Sequence, residues 1–377
     1  MLARPAPRRP VGAVIAVPVR DEARRLSGCL AALAAQRGVG DGVEVLLLLN
    51  NCEDASLEVA LGLQARGPLP VSVAALRLEG SCSHVGWARR LAMDAAARRL
   101  REGGSGGGVV LTTDADSRAE PQWLEANLRA VEAGADAVAG VIVPDPAELG
   151  GLCPRARRRL RRQQGYDRLL ERLASLLDPE PHDPWPRHGY HCGASMAARL
   201  AAYEAVGGLP PVPSSEDRAF FELLRREDGR IRHCPRARVV TSCRLSGRAA
   251  GGMAETLLHW SSSGGQGQVE AALPAARALA LRARLRLAWC RGSASADLAR
   301  ALRLPQATLG QLLAAPRFGQ ALEQARDLSA RLRPVLVPAA GLAHEIRVAG
   351  LLLARLAAAD APDRAGSARA AGLAPAG

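Results

Sequence analysis

The chain has 377 residues, 48% of them hydrophobic and only 3% aromatic, so it has room for one large domain and a smaller appendage packed mainly by Ala, Leu and Val. Its formal charge of +13 contains no lysine. All 50 basic side chains are arginine, which beside the heavy Ala and Gly usage reads as GC-rich coding, and no helix-turn-helix, zinc-finger or aromatic–basic pattern argues for nucleic acid.

Eight cysteines stand singly with no CxxC pair, which argues against a zinc ribbon or thioredoxin-type site and suits reduced thiols in a cytoplasm. The apolar run Val11–Val19 has no cleavage site after it and reads as a buried strand. Apolar spacing near 3.6 predicts a helix over Glu22–Gln36. Val43–Leu49 and Val71–Leu78 read as strands, Val85–Leu100 as a helix, Val109–Thr113 as a strand, Glu120–Glu132 as a helix and Ala137–Val143 as a strand. This alternation predicts an α/β fold with a mainly parallel central sheet and right-handed crossovers.

Between Pro144 and Pro186 the pattern breaks. A basic run, Arg155–Arg162, precedes a helical stretch, Tyr166–Leu177, and a proline-rich loop, Asp178–Pro186, so 145–188 reads as an insertion over the sheet edge. Gly189–Ala198 and Arg230–Thr241 read as further strands. Residues 1–264 are expected to form the catalytic domain. Residues 265–377 are expected to form a helical appendage, with helices at Ala275–Trp289 and Gln320–Leu332 and a frayed tail from Asp360. No run approaches the roughly 18 apolar residues of a membrane span, the closest being Ala349–Ala359.

Two acid pairs carry the chemistry. The strand Val109–Thr113 delivers Asp114 and Asp116 at its carboxyl end, where open α/β sheets bind ligands, and two carboxylates one residue apart suit a divalent ion that bridges a diphosphate. About a hundred residues later Glu216 and Asp217 head a helical pattern; as structure alone they read as an acidic first turn, capped by Ser214 or Ser215.

In this order the motifs resemble glycosyltransferase family 2 of the GT-A fold. Pro18-Val19-Arg20-Asp21-Glu22 stands where that family has Pro-x-x-Asn-Glu. Val85-Gly86-Trp87-Ala88-Arg89-Arg90 is similar to its Gly-x-x-x-Ala-Arg-Asn segment, with Arg90 in place of Asn. Asp114 and Asp116 match its DxD. Gly193–Ala198, Val206–Leu209 and Glu216-Asp217 match its glycine-rich acceptor strand, glycine turn and acidic pair.

The resemblance covers about residues 11 to 245 and implies a transferase acting on a nucleotide-diphospho-sugar, with inversion. The residues it implies for the donor are Pro18, Arg20, Glu22, Asn51, Arg89, Asp114 and Ala115. Asp116 with Asp114 would hold Mn²⁺ or Mg²⁺. Asp217 with Glu216 beside it would be the general base, and Gly193 and Ala194 would border the acceptor. Where the family ends its second strand in acids, this chain has Asn50-Asn51, which leaves the nucleobase open; two Asn residues simply making the turn is an equal alternative.

Arg244 and Arg248 flank a glycine after the last core strand and suit a loop that folds over a diphosphate. Trp185 suits stacking on a sugar ring. His188, His191 and Cys192 have no second pair at ligand spacing, so a structural or acceptor-site role is expected over zinc. The acceptor is open among small molecules, lipid-linked carriers and glycans. The basic run Arg155–Arg162 suits an anionic acceptor or peripheral contact with the inner face of a membrane as well as plain solvation. Two alternatives remain at this point. A sugar-phosphate nucleotidyltransferase normally carries a glycine-rich signature after its first strand, which Val17–Arg24 lacks, and a non-catalytic nucleotide-sugar-binding module would not need the acid pairs intact.

Overall fold

The aliphatic run near the N-terminus becomes strand β1 (Ala13–Val19), and helix α1 (Ala23–Ala34) follows it directly. The chain continues through β2 (Val43–Asn50), α2 (Ser56–Arg66), β3 (Val71–Leu76), α3 (Val85–Glu102), β4 (Val109–Thr112), β5 (Ser117–Ala119), α4 (Trp123–Glu132) and β6 (Ala137–Pro144). A single-turn helix α5 (Pro146–Leu149) and the long α6 (Pro154–Leu177) precede β7 (Met196–Arg199), α7 (Leu200–Ala205), α8 (Glu216–Arg226), β8 (Ile231–Thr241) and α9 (Met253–Ser261). This computed structural model describes residues 11–37, 42–104, 106–245, 247, 252–261, 269–273, 276–333, 335–338 and 340–370. It divides into two compact units, Met1–Arg159 with Pro186–Gly265, and Leu160–Trp185 with Gln266–Gly377.

In the first unit eight strands form one sheet in the order β3-β2-β1-β4-β7-β6-β8-β5. Pairings β1–β2, β2–β3, β1–β4 and β6–β8 are parallel, whereas β4–β7, β6–β7 and β5–β8 are antiparallel, so the sheet is mainly parallel as the alternation predicts. The central strands β1 and β4 are covered on both faces, which is why they are apolar almost throughout rather than at alternate positions. Ala13, Ile15, Val17 and Val19 of β1 join the core shared with α1 and α4, while Val14 and Ala16 join the core shared with α3, α7 and α8. The parallel register brings the carboxyl ends of β1, β2 and β4 to one edge, where the loops after them meet.

Several expectations need correction. The basic run and the helical stretch after it are one continuous helix, α6, along which Arg155, Arg158, Arg161 and Arg162 are exposed. Arginine is a good helix former whose long stem keeps its charge in water, so a basic run need not interrupt a helix. Of Gly189–Ala198 only the end, from Met196, enters the sheet. Ser215 does not cap α8: its φ is 61° and its side chain makes no cap bond. Helix α2 and strand β5, for which the sequence pattern gave no separate signal, complete the unit.

The glycine turn after α7 has a local cause. Gly207 and Gly208 take φ of 76° and 81°, and a Cβ on Gly208 would lie 3.0 Å from Arg90 and 3.1 Å from the Tyr203 hydroxyl. Arg90 donates to Asp94 and to the Leu209 carbonyl, and the Tyr203 hydroxyl donates to Asp94. The residue that departs from the family pattern therefore ties this turn to α3.

The second unit contains helices α10 (Ala276–Arg291), α11 (Ala296–Leu302), α12 (Gln306–Leu313), α13 (Phe318–Leu328) and α14 (Leu342–Ala370), with an antiparallel strand pair, β9 (Val269–Leu273) and β10 (Val335–Pro338). Leu281, Leu285, Leu298, Leu309, Phe318 and Ala325 form its main core. Asp178 and Glu180 receive Arg286, and Glu180 also receives Arg282. Among the described residues no helix is long and apolar enough to cross a membrane.

Candidate active site

Helix α3 buries a stripe at 89, 93, 96 and 100, and three of those four residues are the apolar Met93, Ala96 and Leu100. The fourth is Arg89, only 3% exposed. A buried guanidinium must be paired, because desolvating an isolated charge is far costlier than any packing gain. Four acceptors meet it: Arg89 donates to Asp114 at 2.7 Å, Glu216 at 3.0 Å, the Gly193 carbonyl at 2.9 Å and the Thr112 hydroxyl at 3.2 Å. Burial alone would lower its pKa, but the charges of Asp114 and Glu216 overturn that and hold the guanidinium above its ordinary value.

This one side chain joins the two acid pairs found in the sequence. Asp114 and Asp116 leave the end of β4, and Glu216 and Asp217 open α8, where the helix dipole favours acids. Glu216 is buried and turned onto Arg89, whereas Asp217 is only partly buried. Asp217 accepts the Gly193 N–H at 2.8 Å and the Arg218 N–H at 2.7 Å, one on each oxygen. An ionised carboxylate has about four acceptor sites, so each oxygen keeps one for another donor. Burial, followed by the charge of Glu216, raises the Asp217 pKa.

On the other side of Asp114, Asp116 is pushed up to about 6 by burial and by the negative charge of Asp114, with Arg244 pulling the other way. Arg244 spans two acids: its guanidinium forks onto Glu22 at 2.6 and 3.0 Å and reaches Asp116 at 3.2 Å. Glu22 is buried at the start of α1, its backbone N–H bound by the Ser56 hydroxyl. Loops after β1 and β2 are knitted together by Asp21, which accepts the Glu53 and Asp54 N–H groups, and by Asp54, which accepts the Ala23 N–H. Of five non-glycine residues with positive φ, three border this region: Asp21, Asn51 and Ser215. Such conformations cost energy and persist where surrounding bonds over-determine them.

The sequence-derived residues divide accordingly. Arg89, Asp114, Glu216, Gly193 and Asp217 form one bonded network and Glu22, Asp116 and Arg244 a second, the two related by the charge of Asp114 beside Asp116, and Pro18 and Arg20 lie partly exposed at the end of β1. Ala115 and Ala194 are 3% and 1% exposed and pack in the core, so neither methyl has surface to offer a donor or an acceptor. Gly193 donates its N–H to Asp217 and accepts from Arg89 through its carbonyl. Asn51 spends its side chain on the turn, donating to the Leu78 carbonyl and accepting the Leu78 N–H, which favours the turn-forming alternative. Trp185 belongs to the second unit, 43% exposed, with Arg172 above its ring. Arg248 lies outside the described residues.

Thr112 and the bridging role of Arg89 had not been read from the sequence. The signal was there for Arg89, as the single charge on an otherwise apolar helical stripe. His191 and His233 face one another at 3.1 Å through their Nε2 atoms, with the Arg225 guanidinium at 2.9 and 3.3 Å from the two. The Arg225 guanidinium sits against both rings, and burial with its charge lowers the His191 pKa well below its ordinary value.

Residues 14–185 match the family model described as glycosyl transferase family 2. No curated protein matches the chain. Among solved structures, S. aureus TarS 1-349 in complex with UDP is 16% identical, with 85% of this chain and 92% of that one covered and a TM-score of 0.43. The mannosyltransferase PcManGT from Pyrobaculum calidifontis, in complex with GDP-Man and Mn²⁺, is 17% identical over 97% and 86% of the two chains, with a TM-score of 0.42. A mycobacterial protein is 14% identical over 69% and 78%, with a TM-score of 0.39. Scores this low bear on neither substrate nor metal. The chain thus combines an α/β unit built on a mainly parallel eight-stranded sheet with a helical C-terminal region, and its residues 14–185 are similar to glycosyl transferase family 2.

Proposed function

We propose that the protein transfers a sugar from a nucleotide-diphosphate donor to an acceptor hydroxyl, inverting the anomeric centre. The observation that carries this reading is the Arg89 bridge, which holds Asp114 and Glu216 on one guanidinium and so gathers both acid pairs around one site. The match of residues 14–185 to glycosyl transferase family 2 supports the class of reaction, and the geometry is in keeping with the roles proposed below.

Asp217 is the general base. Its raised pKa and its free acceptor positions suit a group that takes the proton of the attacking hydroxyl. As the new C–O bond forms, the bond to the diphosphate breaks on the opposite face of the sugar. The proton ends on Asp217 and the electron pair on the departing phosphate oxygen. Glu216 and Arg89 hold the Gly193 backbone and Asp114 in place, which keeps base and donor in register.

A divalent ion fits the donor side on chemical grounds. Asp114 and Asp116 offer hard oxygen ligands one residue apart at the end of β4. Among the described residues no group of three or more His, Cys, Asp or Glu side chains is arranged as a cage, so an ion held by Asp114 and Asp116 would need further ligands from outside the chain. Asp116 with Asp114 would hold Mn²⁺ or Mg²⁺, which would supply positive charge to the departing diphosphate.

A panel of UDP- and GDP-sugars, each with Mn²⁺ or with a chelator, tests the reading through thermal shift and donor hydrolysis. The expected result is stabilisation by one nucleotide-sugar that depends on the metal. Calorimetry with no metal-dependent binding across the panel, or pyrophosphate release from a nucleoside triphosphate and a sugar phosphate, would overturn it.

A further inference from the structure

Arg244 contacts Asp116, one of the two carboxylates that would hold a divalent ion. Three carboxylates, Glu22, Asp114 and Asp116, lie around the donor side, and Arg244 contacts Glu22 by two N–H groups and Asp116 by one of the same two nitrogens. Arg25 adds positive charge nearby but forms its own pair with Glu148. The arginine is delivered by a firmly anchored piece of backbone: Glu148 accepts both the Ser242 hydroxyl and the Cys243 N–H at 2.7 Å, immediately before it. The guanidinium can therefore leave by side-chain rotation while the chain that carries it stays fixed.

We infer that Arg244 is a tethered counter-cation that occupies the carboxylates before the donor arrives and surrenders Asp116 to the divalent ion when it does. The inference rests on the metal-dependent reading above. An arginine on Asp116 competes directly with a metal for the same oxygen, so metal alone binds weakly. A diphosphate reverses the balance, because it offers the guanidinium two or more anionic oxygens to which it can fork and offers the metal its missing ligands. Metal and diphosphate then bind as a coupled pair, and by linkage each raises the affinity of the other by the same factor. The free site is spared an unbalanced cluster of acids, and a metal without donor is discriminated against.

The test measures Mn²⁺ binding by electron paramagnetic resonance on the full chain, with no sugar and no acceptor, so that its outcome is separate from that of the transfer assay. Arg244→Gln is expected to bind Mn²⁺ at least tenfold more tightly than the unsubstituted protein. Arg244→Lys, which keeps the charge, is expected to stay within threefold, and Arg244→Gln with Asp116→Asn is expected to lose the gain. Inorganic pyrophosphate is expected to tighten Mn²⁺ binding at least tenfold more in the unsubstituted protein than in Arg244→Gln. Arg244→Ala serves as a second neutral variant should the Gln variant lose its folded circular-dichroism signal. Unchanged Mn²⁺ affinity in the folded neutral variant, or equal coupling to pyrophosphate with and without Arg244, overturns the inference. If that happens while donor-dependent transfer persists, the counter-cation role falls alone.

Discussion

Gly193 lies flat against the guanidinium of Arg89: a Cβ at that position would stand 2.6 Å from its Cζ. Arg89 cannot retreat, because four acceptors fix it from different directions. Gly193→Ala must therefore displace either the arginine or the backbone that Asp217 binds. The expected cost is about 1–3 kcal/mol, as for overpacking elsewhere in protein cores, together with a loss of turnover larger than the loss of donor affinity. Thermal denaturation and steady-state kinetics on the same preparation check both parts. A variant with unchanged melting temperature and turnover would mean that the close contact is not maintained in solution.

Removing the bridge itself should be worse for stability. Arg89→Met leaves Glu216 buried without its counter-charge, and breaking a buried pair on one side typically costs about 3–5 kcal/mol. The lower end is expected here because the Asp114 side chain keeps 35% of its surface exposed. Adding Glu216→Gln to Arg89→Met should restore part of the loss, since it removes the orphaned charge. Denaturant melts of both singles and the double measure the coupling. Strict additivity would show that the two residues do not depend on one another.

Both acid pairs were legible in the sequence because each sits where local pattern is strongest, one at the end of an unbroken aliphatic strand and one at the head of an amphipathic helix. The strand alternation likewise gave the sheet, because buried parallel strands are apolar throughout. The bond that joins the two pairs was less accessible. It links residues 127 positions apart through a side chain whose helical stripe announces burial but not its partners. The turn at Asn51 was one of two readings the sequence left open, and it is the pair of bonds with Leu78, 27 residues away, that favours it. Ala115 and Ala194, placed at the site by motif position, bury their methyl groups in the core, so only their backbone could face a ligand.

The pH dependence of turnover follows from Asp217. As a base it must be ionised, and burial with the charge of Glu216 raises its pKa above the ordinary 3.8. Turnover should therefore fall on acidification at a higher pH than an exposed aspartate would give. The same shift means that the folded state holds this proton more tightly, so its contribution to stability declines as pH rises from the ordinary value through the raised one. Asp217→Asn should cut turnover by about 10²–10⁴ and leave donor binding intact. Glu216→Gln removes the second-largest cause of the shift and leaves the Arg89 charge in place, so the acid limb should move to lower pH in whatever activity remains. A limb that stays put or moves upward would assign it to another group.

A last comparison separates packing from chemistry. Arg99 on α3 forks onto Glu44 of β2, both bonds 2.7 Å long, with side chains only 9% and 11% exposed. Glu44 is in register with Val14, near the amino end of β1 and away from the strand ends that carry the acid pairs. The pair resembles the Arg89 bridge in burial and geometry but touches none of its partners. Arg99→Met should accordingly cost about 3–5 kcal/mol by stranding Glu44, and Arg99→Met with Glu44→Leu should recover most of it. In both variants turnover per folded molecule should stay within twofold, whereas Arg89→Met loses turnover as well as stability. A tenfold drop in the specific activity of folded Arg99→Met would sink the distinction, because buried ion pairs would then affect turnover wherever they lie and the placement of Arg89 between the two acid pairs would explain nothing.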